Sequence, residues 1–325
     1  MGRRLLSMPL VVVAWCAWTA LAVPALLLVA VLDLVRPRKP WARCRAVAAI
    51  GVLLTCEVLG LVAALGLWAH HLIHRDRARF VAANAGLQRW WTGAIFAGAR
   101  RLYGLRIEPA GLEAGDAGAF LLLVRHCSVL DTVLAAVFVA NPRRRVLRYV
   151  LKRELLWDPC LDVVGNRLAN VFVARAPARR DADLAAITAL AADMPADQGL
   201  LIYPEGSRAT PRKRARAIEQ LAASGPAALV ARARAMQHVM PPRPGGVLAV
   251  MAARPDLDVV VMGHTGLEGA TRLADLWRGS LVGATIRVSL RRYPAAAIPT
   301  APDERLQWLF DRWVELDGWV GEVAA

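Results

Sequence analysis

Residues 119–140 read AFLLLVRHCSVLDTVLAAVFVA. Phe120 to Val124 is an unbroken apolar run, short enough for a strand buried on both faces. The run from Val129 to Ala140 is long enough for a helix. A strand ending near His126 and a helix over 128–140 form a strand–turn–helix unit, from which parallel α/β sheets are built. Ser128 suits the helix N-cap, and Asp131 then falls in the first turn. From there a carboxylate can accept from one imidazole nitrogen of His126 and leave the other basic. Cys127 and Ser128 are the alternative nucleophiles, but in an extended segment Cys127 points away from its neighbour His126.

The same punctuation continues along the chain. Short β-prone runs occur at 105–109, 146–151, 171–174, 200–203, 259–262 and 285–290, with helical patterns at 184–194, 226–237 and 302–320. The fold class read from this alternation is α/β, one domain with a largely parallel sheet, over residues 101–325. In the last helix Leu306, Leu309, Phe310, Trp313 and Leu316 recur near helical spacing, a stripe that suits core packing.

The N-terminal portion differs. Of the 325 residues, 57% are hydrophobic, and two long apolar segments concentrate the excess. Met8–Leu32 carries no charge, and Ala46–Ala69 is interrupted only by Glu57. Each is long enough to cross a hydrocarbon core of about 30 Å. Arg3, Arg4 and the later Ala20-Leu21-Ala22 imitate a signal peptide, yet the apolar run continues past the usual length. Residues 1–70 therefore read as a membrane-anchoring helical hairpin and 71–100, with Trp90 and Trp91, as an interfacial helix. Arginines flank both helices and fill the connector at Arg36, Arg38, Arg43 and Arg45. A spanning hairpin would put one basic group on the wrong side, whereas a hairpin within one leaflet would keep all of them on one anionic surface.

The net charge of +15 points to anionic partners, and beside apolar anchors it favours lipid and phosphorylated substrates over nucleic acid. Five cysteines without a CxxC pair indicate neither a zinc site nor a disulfide framework, and no metal is expected.

A second motif lies at residues 200–216, LLIYPEGSRATPRKRAR. Pro204 ends a strand, and Glu205, Gly206, Ser207 and Arg208 form a tight loop in which Arg208 offers a planar fork to a phosphate. Arg212, Lys213 and Arg214 follow, suited to the acceptor phosphate, to coenzyme phosphates or to lipid headgroups. HCSVLD followed by YPEGSR resembles the glycerolipid acyltransferase family, whose motifs are His-x4-Asp and Phe-Pro-Glu-Gly-Thr-Arg. NVFVAR resembles the family's intermediate block and supplies Phe172, Val173 and Arg175. YVLKRELLWDP and HVMPPRPGGV are similar to the eukaryotic-type lysophospholipid acyltransferase subgroup, with Pro241 and Pro242 as candidates for the last block. The resemblance covers residues 85–265 and leaves 270–325 without a counterpart.

The resemblance implies transfer of a fatty acyl group from acyl-CoA or acyl-acyl carrier protein to lysophosphatidic acid. His126 would be the base and Asp131 its orienting partner, with no acyl-enzyme and no resident cofactor. Arg175 and Arg208 would hold the acceptor phosphate, and Glu205, Gly206 and Ser207 would shape the loop around the glycerol. The partners expected are the lysophospholipid, the acyl thioester and its carrier protein, and an anionic membrane, on the cytoplasmic side of a bacterial inner membrane. Another lysophospholipid, glycerol 3-phosphate or a lipid alcohol are the alternative acceptors. Outside the class stands a non-catalytic basic protein that binds anionic lipid.

Overall fold

Three helices precede the first strand: α1 (Gly2–Val35), α2 (Ala42–His74) and α3 (Arg77–Tyr103). The computed structural model describes residues 2–35, 39–128, 130–174 and 176–324. α1 and α2 are 34 and 33 residues long and apolar enough to cross a membrane by length and composition. The segment expected to form one helix over 71–100 divides instead. Its first residues finish α2, and Asp76 caps α3 by accepting from the Arg79 N–H at 2.9 Å. α3 then packs onto the sheet through Phe96 and Leu102. Glu57, the one charge in the second apolar run, is buried in protein and accepts from Trp91 Nε1 at 3.0 Å.

The strands are β1 (Arg106–Ala110), β2 (Phe120–Val124), β3 (Val146–Lys152), β4 (Val171–Val173), β5 (Gln198–Ile202), β6 (Asp258–Thr265) and β7 (Thr285–Tyr293). They form a single sheet in the order β1-β7-β6-β2-β5-β3-β4, parallel except for the β6–β7 pair. β2 lies at the centre, and its residues alternate between two cores. Leu121 and Leu123 face one layer, Phe120, Leu122 and Val124 the other, and all are fully buried. Burial on both sides is why the strand reads as a continuous apolar run.

Between and after the strands come α4 (Pro159–Gly165), α5 (Arg180–Ala192), α6 (Pro211–Ser224), α7 (Ala227–Ala235), α8 (Pro244–Ala253), α9 (Leu273–Trp277) and α10 (Pro302–Ala324). α5, α7, α8 and α10 cover one face of the sheet, α10 through buried Leu309, Phe310, Trp313 and Leu316. Leu134, Phe138 and Val139 join α3 on the other face.

The expected helix over 128–140 is present as one continuous helical segment, Asp131–Ala140, of irregular pitch: a 3-10 turn at Asp131–Val133 leads into a π turn at Ala136–Ala140. The cause is local. Asp131 turns its carboxylate back onto the N–H groups of Cys127 and Ser128, at 2.7 and 2.8 Å, tightening the entry. The N-cap position is Leu130 rather than Ser128; Ser128 Oγ accepts from the Leu130 N–H at 3.3 Å, and its hydroxyl donates to the Ala270 carbonyl at 2.7 Å and joins this loop to the one after β6.

Candidate active site

β2 pairs in parallel with β5 on one side and β6 on the other, so the segments leaving these strands emerge side by side at one edge of the sheet. Leu123 is in register with Ile202, and this pairing brings together the two motifs, His126 and Glu205 being 79 residues apart in sequence. Open α/β sheets bind ligands at the carboxyl ends of their strands.

His126 Nδ1 lies 2.9 Å from Asp131 Oδ1. A carboxylate only accepts, so the proton sits on Nδ1 and Nε2 is left with its lone pair. Asp131 is fully buried and His126 partly exposed, so the carboxylate orients the ring from behind. The Tyr203 ring flanks the imidazole with centroids 4.8 Å apart.

Glu205 is 1% exposed and faces inward. One carboxyl oxygen accepts from the His126 N–H at 3.0 Å and the other from the Met240 N–H at 3.3 Å. Burial pushes its carboxyl up to about 8, against the opposing pull of the His126 N–H, the Arg125 charge and the Met240 N–H. The residue thus ties the histidine loop to segment 236–243. Gly206 has φ 71°, a conformation glycine adopts without strain, and a Cβ there would come within 2.9 Å of Arg243 Cδ.

Arg208 donates to the Thr271 carbonyl, and Lys213 Nζ to the Arg208 carbonyl at 3.4 Å. Ser207 belongs to the same loop, half-buried. Burial, then the positive charges of Arg208, Lys152 and Arg243, lower the Lys213 ammonium below its ordinary value. Arg208, which Lys213 contacts, and Arg243, whose side chain lies over Gly206, border the Glu-Gly loop, an arrangement that suits a phosphate; Lys152, whose charge also acts on Lys213, pairs with Glu154 at 3.2 Å. Lys152 and Arg243 were not among the residues expected from sequence. Lys152 ends β3, and the run YVLKREL was the available signal. Arg212 is exposed on α6, and Arg214 bonds the Gln237 carbonyl at 3.1 Å. Arg175 lies outside the described residues.

Behind the site Cys127, Asp131 and the fully buried His264 come close together. Their polar atoms are engaged: both Asp131 oxygens by the groups above, and His264 Nε2 by the Arg125 carbonyl at 3.0 Å. Burial pushes the Cys127 thiol well up, so it is held as the neutral S–H, a poor nucleophile.

Residues 106–264 match the model of the family described as Acyltransferase. No curated protein matches the sequence significantly. Among solved structures the chain is similar to the crystal structure of the 1-acyl-sn-glycerophosphate (LPA) acyltransferase, PlsC, from Thermotoga maritima. The TM-score is 0.54 and the identity 14%, over 86% of this chain and 98% of that one. That likeness shows a shared fold, including the two N-terminal helices ahead of the sheet. The family match makes residues 106–264 an acyltransferase domain and this chain an acyltransferase, and with both motifs meeting at one edge of the sheet it supports the glycerolipid branch.

Proposed function

We propose that the enzyme acylates the free hydroxyl of lysophosphatidic acid from acyl-CoA or an acyl-acyl carrier protein, giving phosphatidic acid. The observation that carries this reading is the His126–Asp131 pair at the same sheet edge as the Glu-Gly loop and the cations that border it. His126 Nε2 takes the acceptor's proton as its oxygen attacks the thioester carbonyl carbon. The C–S bond then breaks, and the imidazolium returns that proton to the departing thiolate. Both substrates meet directly, so no acyl-enzyme forms and no resident cofactor is needed. Lys152, Arg208, Lys213 and Arg175 hold the acceptor phosphate and thereby its hydroxyl against the base.

The helical hairpin attaches the enzyme to one leaflet, with the arginines on the anionic cytoplasmic surface of a bacterial inner membrane. Support comes from both ends of the hairpin. Arg3 and Arg4 of α1 bond the Asp162 carboxylate of α4 at 2.9 and 3.0 Å. Near the turn, Arg45 donates to the Leu102 carbonyl, and Gly279 packs on Ala42 and Lys39. A spanning hairpin would carry its turn about 30 Å away across the bilayer. Purified protein given labelled acyl-CoA and a panel of acceptors tests the substrate assignment. Lysophosphatidic acid should have the highest kcat/KM. Preference for lysophosphatidylcholine, glycerol 3-phosphate or monoacylglycerol would reassign the acceptor.

A further inference from the structure

α10 lies beyond residues 106–264, the stretch shared with the family, yet its Asp317 reaches the loop that borders the site. Asp317 is 9% exposed. Its carboxylate accepts three successive backbone N–H groups, from Gln237 at 2.9 and 3.0 Å, His238 at 2.6 Å and Val239 at 2.8 Å. An anion in such a concave set of N–H groups is strongly held, and it fixes the backbone around it. The opposite side of the same segment is fixed as well. Arg125, the residue before His126, donates from Nη2 to the His238 carbonyl at 3.0 Å. α10 also approaches closely at Gly321, where a Cβ would lie 2.9 Å from His238 Nε2.

What this clamp delivers follows along the chain. Met240 N–H bonds Glu205, Pro241 and Pro242 are buried, and the Arg243 N–H donates to the Pro204 carbonyl at 2.8 Å. The Arg243 side chain is exposed and lies directly over Gly206, the residue after the one bonded to the His126 backbone. We infer that α10 is part of the acceptor site: Asp317 is a positioning residue that sets segment 237–243 so that Arg243 grips the acceptor's phosphate. This rests on the lysophosphatidate reading above. The choice of phosphate follows from reach. In a lysophosphatidate the phosphate is one CH₂–O unit from the carbon bearing the reacting hydroxyl, so a cation beside the base meets it. The phosphates of coenzyme A lie a whole pantetheine arm away from the thioester. Lys213, depressed partly by the Arg243 charge, supports the grouping of these cations.

The test uses full-length enzyme in detergent or vesicles, with KM measured separately for lysophosphatidic acid and for acyl-CoA. Arg243→Gln should raise KM for lysophosphatidic acid roughly ten- to a hundredfold, the loss of one charge-assisted hydrogen bond, and leave KM for acyl-CoA unchanged. Arg243→Lys should recover part of the loss. Asp317→Asn should raise the same KM in the wild-type background, but have little further effect on it when Arg243 is already Gln. If Asp317→Asn does not fold, Asp317→Glu keeps the charge and serves in the same cycle. An unchanged acceptor KM in Arg243→Gln, or a rise in the acyl-CoA KM instead, would overturn the assignment of Arg243. An undiminished effect of the Asp317 variant in the Arg243→Gln background would overturn the positioning role. Wild-type enzyme that does not acylate lysophosphatidic acid would refute the parent reading instead, and the two failures are thereby told apart.

Discussion

Glu205 shows what a motif spells out and what it hides. Its place after Pro204 and before Gly206 was plain in the sequence, and it was expected to line the glycerol. Its side chain turns inward to the backbone of His126 and Met240, because the partners that complete it arrive only when β2 pairs with β5. A carboxyl raised to about 8 in the fold and near the ordinary value when unfolded carries an extra proton in the native state between those limits. The unfolded chain then binds fewer protons, so stability falls as pH rises. This contribution is complete below the unfolded value and lost as pH passes through about 8. In thermal unfolding between pH 5 and pH 9, Glu205 should contribute a decline of Tm with pH, opposed at the lower end by the buried His264, whose lowered value favours folding as pH rises. The Tm of wild type relative to Glu205→Gln should therefore fall as pH rises through about 8, and a constant difference would show that Glu205 does not contribute. By contrast, the role proposed for Asp317 has no local signature, since it depends on helix packing, and the runs around Lys152 and Arg243 mark those residues only by resemblance.

At the scale of elements, the strands were legible because double burial leaves unbroken apolar runs. All seven expected runs are strands, within a few residues at their ends. The antiparallel return of β7 was hidden, since pairing direction leaves no mark on an apolar run. α6 is amphipathic, but its basic and polar residues dominate the stretch, with Ile218 and Leu221 packing against the core, so the sequence shows a basic run first. Apolar spacing located the helix at 128–140 but not its irregular pitch, because it does not register the carboxylate that tightens the first turn. The hairpin carries a test of its own. With Cys16 and Cys44 replaced by Ser, a cysteine introduced at Lys39 should react with an impermeant thiol reagent from the side that holds the catalytic domain. Labelling only from the opposite side of sealed vesicles would exclude attachment to one leaflet.

Across the whole molecule, parallel pairing gathers the exits of β2, β5 and β6 at one edge, and β3 ends with Lys152 among the same cations. The His126–Asp131 pair, close in sequence, and the cations proposed to hold the phosphate thus come from distant parts of the chain and meet only in the fold. Ser128 to Ala270, Arg125 to His238 and Asp317 to segment 237–239 are the ties that close the set. Acyl transfer from labelled acyl-CoA to lysophosphatidic acid, compared between wild-type enzyme and His126→Ala, tests the site most directly. Removal of the base should lower kcat by roughly 10²–10⁴-fold, with the Tm and vesicle binding unchanged. Turnover by folded His126→Ala at the wild-type rate would contradict the assignment of the active site.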